Sequence, residues 1–296
     1  MFARPGLPCF DYIRAHTIDE AVELLKDHGQ DARPLMGGTD LFPGLREGRI
    51  RPRVLVDIKG LPGIRQLAYE GGTGLRIGAA VTMNEVIRHP RVQAHYPLLA
   101  QAAASVASYQ IRNRATLGGN LCNASPCADT APACLVMNAK LDLYGPSGHR
   151  LLRTADFFLG PGLTALEPGE LLTAIHFPPP PTRVAGCYLK LGRCRSGDLS
   201  LVGIAILAYV DGNGSSPHFR IGLGSVAPTA VRASEAEAYL EKHPSDEETF
   251  AAAADRAMAS ASPINDVRGT AEYQRAMVRT LTLRGLRDVW AQLTPE

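Results

Sequence analysis

Two stretches of the chain put small, hydrogen-bonding residues where large ones would normally fill space. One is Met36, Gly37, Gly38, Thr39, Asp40 and Leu41; the other is Thr116, Leu117, Gly118, Gly119 and Asn120, which opens the run TLGGNLCNASPCADTAP (116–132). Adjacent glycines let backbone N–H groups approach an anion without an intervening Cβ, and they reach the positive-φ conformations that aim successive amides the same way. Thr39, Thr116 and Asn120 add uncharged donors. Either loop alone is more often a turn than a phosphate cradle, and neither fits G-x-G-x-x-G or G-x-x-x-x-G-K-S/T. Together, with 80 positions between Gly38 and Gly118, they suit a ligand with two phosphates clasped between different parts of a fold.

Asp129 has two readings. It is an N-cap for the helical run that follows, or an acid that accepts a hydrogen bond from a ligand's ring N–H or ribityl hydroxyl. Cys122, Cys127 and Cys134 give C-x4-C-x6-C, which departs from the common iron–sulfur and zinc spacings, so metal ligation is the lesser reading. Cys187 and Cys194 read as small half-buried residues. None of the eight histidines lies in or beside the glycine loops, and no nucleophile–base pair emerges, which argues against a hydrolase.

At 296 residues the chain suggests two or three packed units. Its net charge of +2, from 31 basic and 29 acidic residues, leaves no electrostatic footprint for nucleic acid. The arginine-containing run 46–53 reads as a solvated connection. No apolar run reaches the roughly 18–20 residues of a membrane span. MFARPGLPCFDY lacks the apolar core of a signal peptide, so the expected compartment is the cytoplasm.

The elements that must position the loops follow from periodicity and caps. TIDEAVELLKDH (17–28) has a capping box of Thr17 and Glu20, an apolar face of Ile18, Ala21, Val22 and Leu25, and a stop at Gly29. RPLMGGTDL brings a strand into the first loop, and VLVDI (54–58) and LRIGAAV (75–81) read as buried strands. Thr82 and Glu85 cap a helix that ends before Pro90; LLAQAAASV (98–106) and 109–114 are helices leading into the second loop. KLDLY and LLTAIHF are strands. The four prolines at 178–181 make a stiff spacer and mark a domain boundary. LSLVGIAILAYV (199–210), too apolar for a wet face, and HFRIGLGSV (218–226) read as a hairpin around DGNGSS, followed by helices over 234–241, 245–259 and 272–292, an α+β layout.

The blocks MGGTDLFPGLREG, QIRNRATLGGNLCNASPCADTAP, DFFLGPGLTALEPGELLTAIHFP, CYLKLGRCRSGDLSLV and INDVRGTAEYQRAMV resemble, in order and spacing, the FAD-binding medium subunit of the molybdenum hydroxylases, the carbon monoxide, xanthine and aldehyde dehydrogenase group. The resemblance covers essentially the whole chain. It implies an α+β fold: a two-subdomain FAD-binding domain of the vanillyl-alcohol-oxidase (PCMH) type, over 1–60 and 61–178, then a C-terminal domain over 183–296 with a three-stranded antiparallel sheet and helices.

It also implies non-covalent FAD between the first two parts. Residues 36–41 and the TLGGN loop, through Thr116, Gly118, Gly119 and Asn120, would hold the pyrophosphate. Asn123, Ser125 and Asp129 would lie along the ribityl chain and flavin, Leu172 would offer backbone contacts near the ring, and Lys190 would approach the isoalloxazine. The implied role is an electron-transfer oxidoreductase subunit. A large partner subunit carries the molybdenum cofactor, a small one carries [2Fe-2S] clusters, and the whole doubles into a dimer of heterotrimers. The [4Fe-4S]-bearing relatives have a cysteine-rich insertion that this chain lacks, so no cluster is expected here, and Cys127 stands where a small residue such as alanine is usual. Two other readings stay open: a self-contained flavin oxidase or dehydrogenase of the same fold, and a flavin-free scaffold. The substrate and the terminal acceptor are not legible.

Overall fold

Strand 54–57 is apolar over three of its four residues and buried along its whole length, and it becomes the centre of a three-stranded parallel sheet. The computed structural model describes residues 6–194, 197–210 and 217–294. Asp11–Arg14 and Ala32–Leu35 flank Val54–Asp57, in the registers Asp11↔Val54 and Ala32↔Val54. The helix Ile18–His28 joins the two outer strands and buries Ala21, Val22 and Leu25. Thr17 caps it as expected, accepting from the Glu20 amide, but the Glu20 carboxylate reaches back to the His16 amide instead of that of Thr17. The edge strand Asp11–Arg14 was not anticipated, because only Ile13 packs inward and no alternation marks it.

The second unit is a five-stranded antiparallel sheet with Leu171–Phe177 at its centre, between Gly74–Gly78 and Lys140–Gly145, and with Leu67–Glu70 and Gly148–Arg153 at its edges. Short helices, among them Met83–Arg88, Pro97–Ser105, Leu117–Cys122 and Thr130–Val136, pack beside it in one shared core. The capping box of Thr82 and Glu85 has both of its arms.

At one edge of this sheet Arg150 grips Glu170 with two hydrogen bonds of 2.7 Å, and the arginine beside it holds the Glu170 carboxyl below the usual glutamate range. A depressed folded-state pKa contributes stability that is complete above the unfolded value and lost as pH falls through the folded one. Glu170→Gln is therefore expected to melt below the native chain at neutral pH, with the gap closing as pH is lowered from about 5 to about 3. Thermal melts across that range check it.

The third unit has three long antiparallel strands, Arg183–Leu191, Val202–Val210 and His218–Gly224, as expected, plus a two-residue fourth, Val231–Arg232. The expected turn DGNGSS lies outside the described residues. Strand 202–210 has no wet face because both faces are covered. Ala205 and Leu207 join the core of the first two units, while Ile204, Ile206 and Ala208 join a second core with the helices Glu247–Ala259 and Ala271–Leu293. A Cβ on Gly222 would lie 2.7 Å from the Pro132 carbonyl oxygen, so glycine in the strand admits helix 130–136 against the sheet. The proline run is itself docked: the Tyr96 hydroxyl donates to the Pro178 carbonyl at 2.9 Å. No helix among the described residues is long and apolar enough to cross a membrane.

Candidate functional site

Strand 32–35 ends at Leu35 and the chain turns through 36–40 into the helix Leu41–Arg46. Gly38 takes φ +73, the left-handed region open to glycine. A Cβ on Gly37 would lie 2.1 Å from the Arg114 carbonyl oxygen and 3.2 Å from the Ala115 Cα. Glycine is thus what lets this loop lie backbone to backbone against the segment leading into the second glycine loop. Met36 closes the contact, with its Cε 3.9 Å from where a Gly119 Cβ would stand. The two loops, 80 positions apart in sequence, are neighbours in space.

Among the described residues, no acceptor takes the amides of Met36, Gly37, Gly38, Thr39, Asp40 or Leu41. The first internal bond is Phe42 N–H to the Gly38 carbonyl at 3.0 Å. Backbone N–H groups left without a protein partner look for water or a ligand, and successive free amides in a glycine turn are groups that an anion can take up.

The second loop behaves differently, and the expectation that its amides are presented in the same way is corrected. Thr116 caps the short helix Leu117–Cys122, its hydroxyl accepting from the Gly119 amide at 3.0 Å. The Leu117, Gly118 and Asn120 amides donate to the carbonyls of Val81, Ala79 and Thr116 at 3.1, 3.1 and 3.0 Å. Gly118 is a packing glycine: a Cβ there would meet Ala79 at 2.6 Å, whereas beyond its own cap the side of Gly119 is open toward Met36. The Asn120 side-chain oxygen accepts from the Thr130 hydroxyl at 2.5 Å, which leaves its NH₂ as the group this loop can offer.

Leu172 is buried in strand 171–177 beside a bulge, and the carbonyl of the next residue, Thr173, accepts from the Ala79 amide at 2.9 Å. The turn at 79–81 therefore couples that strand to the second loop. Asn123 is exposed at the end of helix 117–122, Ala124 takes φ +45, and the Ser125 hydroxyl accepts from the Cys127 amide at 3.2 Å.

Asp129 occupies the N-cap position of helix 130–136 but has αR geometry and makes no capping bond, so the capping reading is corrected. Its carboxylate, on a buried residue, crosses to strand 183–191, where Oδ1 accepts from the Tyr188 hydroxyl at 2.9 Å and Oδ2 from Lys190 Nζ at 2.8 Å. Burial pushes the Asp129 carboxyl upward against the pull of Lys190 and Tyr188. Burial, together with the Asp129 charge, puts the Tyr188 phenol well above its ordinary range. Lys190 also donates to the carbonyls of Ser105 and Asp198, both at 3.0 Å, so it approaches the loop as a partnered cation. A cavity of about 570 Å³ lined by Ser105, Arg112, Lys190, Arg193 and Asp198 opens beside it.

Cys127 Sγ lies 2.7 Å from an Arg268 nitrogen, and Arg268 is itself fixed by Asp266 and by the Ser200 carbonyl. Cys122 packs against the core and Cys134 is buried, and desolvation pushes both thiols up to about 12. Among the described residues there is no group of three or more histidine, cysteine, aspartate or glutamate side chains that could hold a metal ion.

Tyr188, Arg268 and the 79–81 turn were not picked out from sequence. Tyr188 carried a signal, since it precedes Lys190 by two positions in a strand and so shares its face. Arg268 has a local partner in Asp266, but nothing local signalled its reach to Ser200 and Cys127, 68 and 141 positions away.

Residues 8–180 match the family model described as the FAD binding domain in molybdopterin dehydrogenase, and residues 187–289 match the CO dehydrogenase flavoprotein C-terminal domain. The chain is 38% identical to the carbon monoxide dehydrogenase medium chain of Hydrogenophaga pseudoflava, over 96% of this chain and 98% of that one. It is 36% identical to a putative xanthine dehydrogenase FAD-binding subunit of Escherichia coli (strain K12), over 95% and 96%. Among solved structures it is similar to carbon monoxide dehydrogenase from Hydrogenophaga pseudoflava, with a TM-score of 0.93 at 38% identity over 98% of this chain and 100% of that one. It is also similar to quinoline 2-oxidoreductase from Pseudomonas putida 86, with a TM-score of 0.90 at 28% identity over 98% and 100%.

Proposed function

The chain belongs to the FAD-binding medium subunits of the molybdenum hydroxylases, and from that premise we propose that the row of amides at 36–41 holds the pyrophosphate of FAD. The observation that carries this reading is the row itself, six N–H groups without a protein acceptor, pressed against the second glycine loop. The donor set fits the group. An anion replaces the missing acceptors, and no lysine or arginine is needed to meet the charge.

In this reading Gly37, Gly38 and Thr39 bind with their amides, Asp40 and Leu41 continue the row into the helix, and Met36 and Leu172 line the site. Thr116, Gly118 and Gly119 shape the opposing wall, and Asn120 adds its side-chain NH₂. Asn123, Ser125 and Asp129 continue toward the ring, with Lys190 behind Asp129. Bound FAD supplies the capacity to collect electrons singly and pass them on in pairs. The chain's own work is to hold it, to set the polarity beside the ring through Asp129 and Lys190, and to leave an edge open at the cavity beside Lys190. The electrons would come from [2Fe-2S] clusters of a small partner subunit, fed by a molybdenum-cofactor subunit in a dimer of heterotrimers, and would leave to a terminal acceptor.

The test is direct. The purified full chain should take up one FAD, quenching flavin fluorescence, and acid or heat should release it intact. Co-expressed with the chains encoded beside it, it should purify with molybdenum and iron. A chain that binds no flavin contradicts the cofactor reading, and a flavin-loaded chain that purifies alone contradicts the assembly.

A further inference from the structure

We infer that Tyr188 is a positioning residue for the acid of the flavin site, acting from the C-terminal sheet through Asp129; this rests on the FAD reading above. The phenol donates to Asp129 Oδ1 at 2.9 Å while Lys190 holds Oδ2 at 2.8 Å, so each carboxylate oxygen has its own donor and the group cannot rotate without losing one. The neighbouring residues are cut to fit the phenol. A Cβ on Gly203, one strand away, would stand 2.5 Å from the Tyr188 oxygen, so glycine leaves the space that the hydroxyl occupies. Strand 183–191 is pinned at that residue, its Tyr188 amide donating to the Gln101 side chain at 2.9 Å.

The same loop is held twice more from the C-terminal unit, by the Ser225 amide on the Pro126 carbonyl at 2.8 Å and by Arg268 on Cys127. The 125–129 segment thus faces the site with its back fastened to the C-terminal domain. Asp129 is the one charged member of that segment, and Tyr188 is the donor that disperses the part of its charge which Lys190 does not meet.

Removing the phenol oxygen leaves a buried carboxylate less compensated, and negative charge beside a flavin opposes its reduction. In the full chain loaded with FAD, Tyr188→Phe should therefore move the flavin reduction potential to more negative values and weaken FAD binding by about 3–10-fold, the scale of one ordinary hydrogen bond. The flavin-free chain should also melt below native, since the same buried hydrogen bond is lost there, so the potential is the readout that a merely structural role would not move. Asp129→Asn, which keeps an acceptor for the phenol but removes the charge, should move the potential the other way. On that background, adding Tyr188→Phe should produce no further shift in potential.

A native potential and affinity in Tyr188→Phe would overturn the inference, as would a shift that adds in full on the Asp129→Asn background. Should Tyr188→Phe fold poorly, Gly203→Ala, whose added carbon would stand 2.5 Å from the phenol oxygen and displace it, takes its place; a native potential there, or in Asp129→Asn, overturns the inference. Failure of the native chain to bind FAD would instead overturn the cofactor reading. A native chain that binds FAD with Tyr188→Phe unchanged overturns only this inference.

Discussion

Replacing Gly37 by alanine is expected to abolish measurable FAD binding, with an affinity loss on the order of 100-fold or more for a displacement near 1 Å. The added Cβ would stand 2.1 Å from the Arg114 carbonyl oxygen, and that neighbour is backbone, with no rotamer to give way. Either the 36–41 loop lifts away or the segment entering Thr116 is pushed back, and in both cases the amide row and the second glycine loop lose register. Overpacking of this kind also costs about 1–3 kcal/mol of stability. Two companions separate affinity from folding. Gly71→Ala, where nothing lies within 4 Å of the added carbon, should behave as native. Gly118→Ala should destabilise through its 2.6 Å clash with Ala79, although the Gly118 amide already donates to a carbonyl and offers nothing to a phosphate. Binding titrations and flavin-free melts on the three variants decide the matter. Native affinity in Gly37→Ala would mean that the amides of 36–41 do not hold the cofactor.

The glycine loops were legible because glycine at such density is a statement about clearance, and two such loops suggested two phosphates. Which of them offers its amides was not legible. Gly118 looks like Gly37 in sequence, and only the approach of Ala79, 39 positions earlier, shows that one amide is spent inside the fold while the other is free. Helices with strong caps, such as those begun by Thr17 and Thr82, could be read locally because their signals lie within four residues. The strand Asp11–Arg14 could not, since a parallel edge strand with one inward side chain carries no period. The run 199–210 announced that both its faces were buried, but what covers them comes from 97–105 and 130–136 on one side and 271–293 on the other. Asp129 shows the limit most clearly. Its place before a helix predicts a cap, and the outcome turned on Lys190 and Tyr188, 61 and 59 positions further on. Local chemistry proposed two roles, and tertiary contact removed the cap by drawing the carboxylate to Lys190 and Tyr188.

Lys190→Met is expected to cost about 3–5 kcal/mol of folding stability at neutral pH, the usual cost of leaving one member of a buried ion pair without its partner. The pair spans the junction between two units at 2.8 Å, with side-chain exposures of 16% for Lys190 and 7% for Asp129, so water cannot replace the ammonium. The carbonyls of Ser105 and Asp198 lose a donor in the same step. The pH dependence carries a definite sign. Burial already pushes the Asp129 carboxyl upward, and without Lys190 the folded-state pKa rises further above the unfolded value of about 3.9. An acid raised in the folded state penalises folding fully above that raised pKa, and the penalty is relieved as pH falls toward the unfolded value. The deficit of Lys190→Met should therefore shrink between pH 7 and about pH 5, because the native chain, whose Asp129 is raised less, gains less of the same relief. Removing both charges, as Asp129→Leu with Lys190→Met, should be milder than Lys190→Met alone, because nothing charged then stays buried. Urea titrations of the three chains at both pH values measure it. A deficit below about 1 kcal/mol, the scale of an exposed pair, would mean that water reaches the junction. A deficit that grew on acidification would mean that Asp129 keeps its charge by a partner other than Lys190, which would shift the control of the Asp129 charge to Tyr188 and the helix that follows.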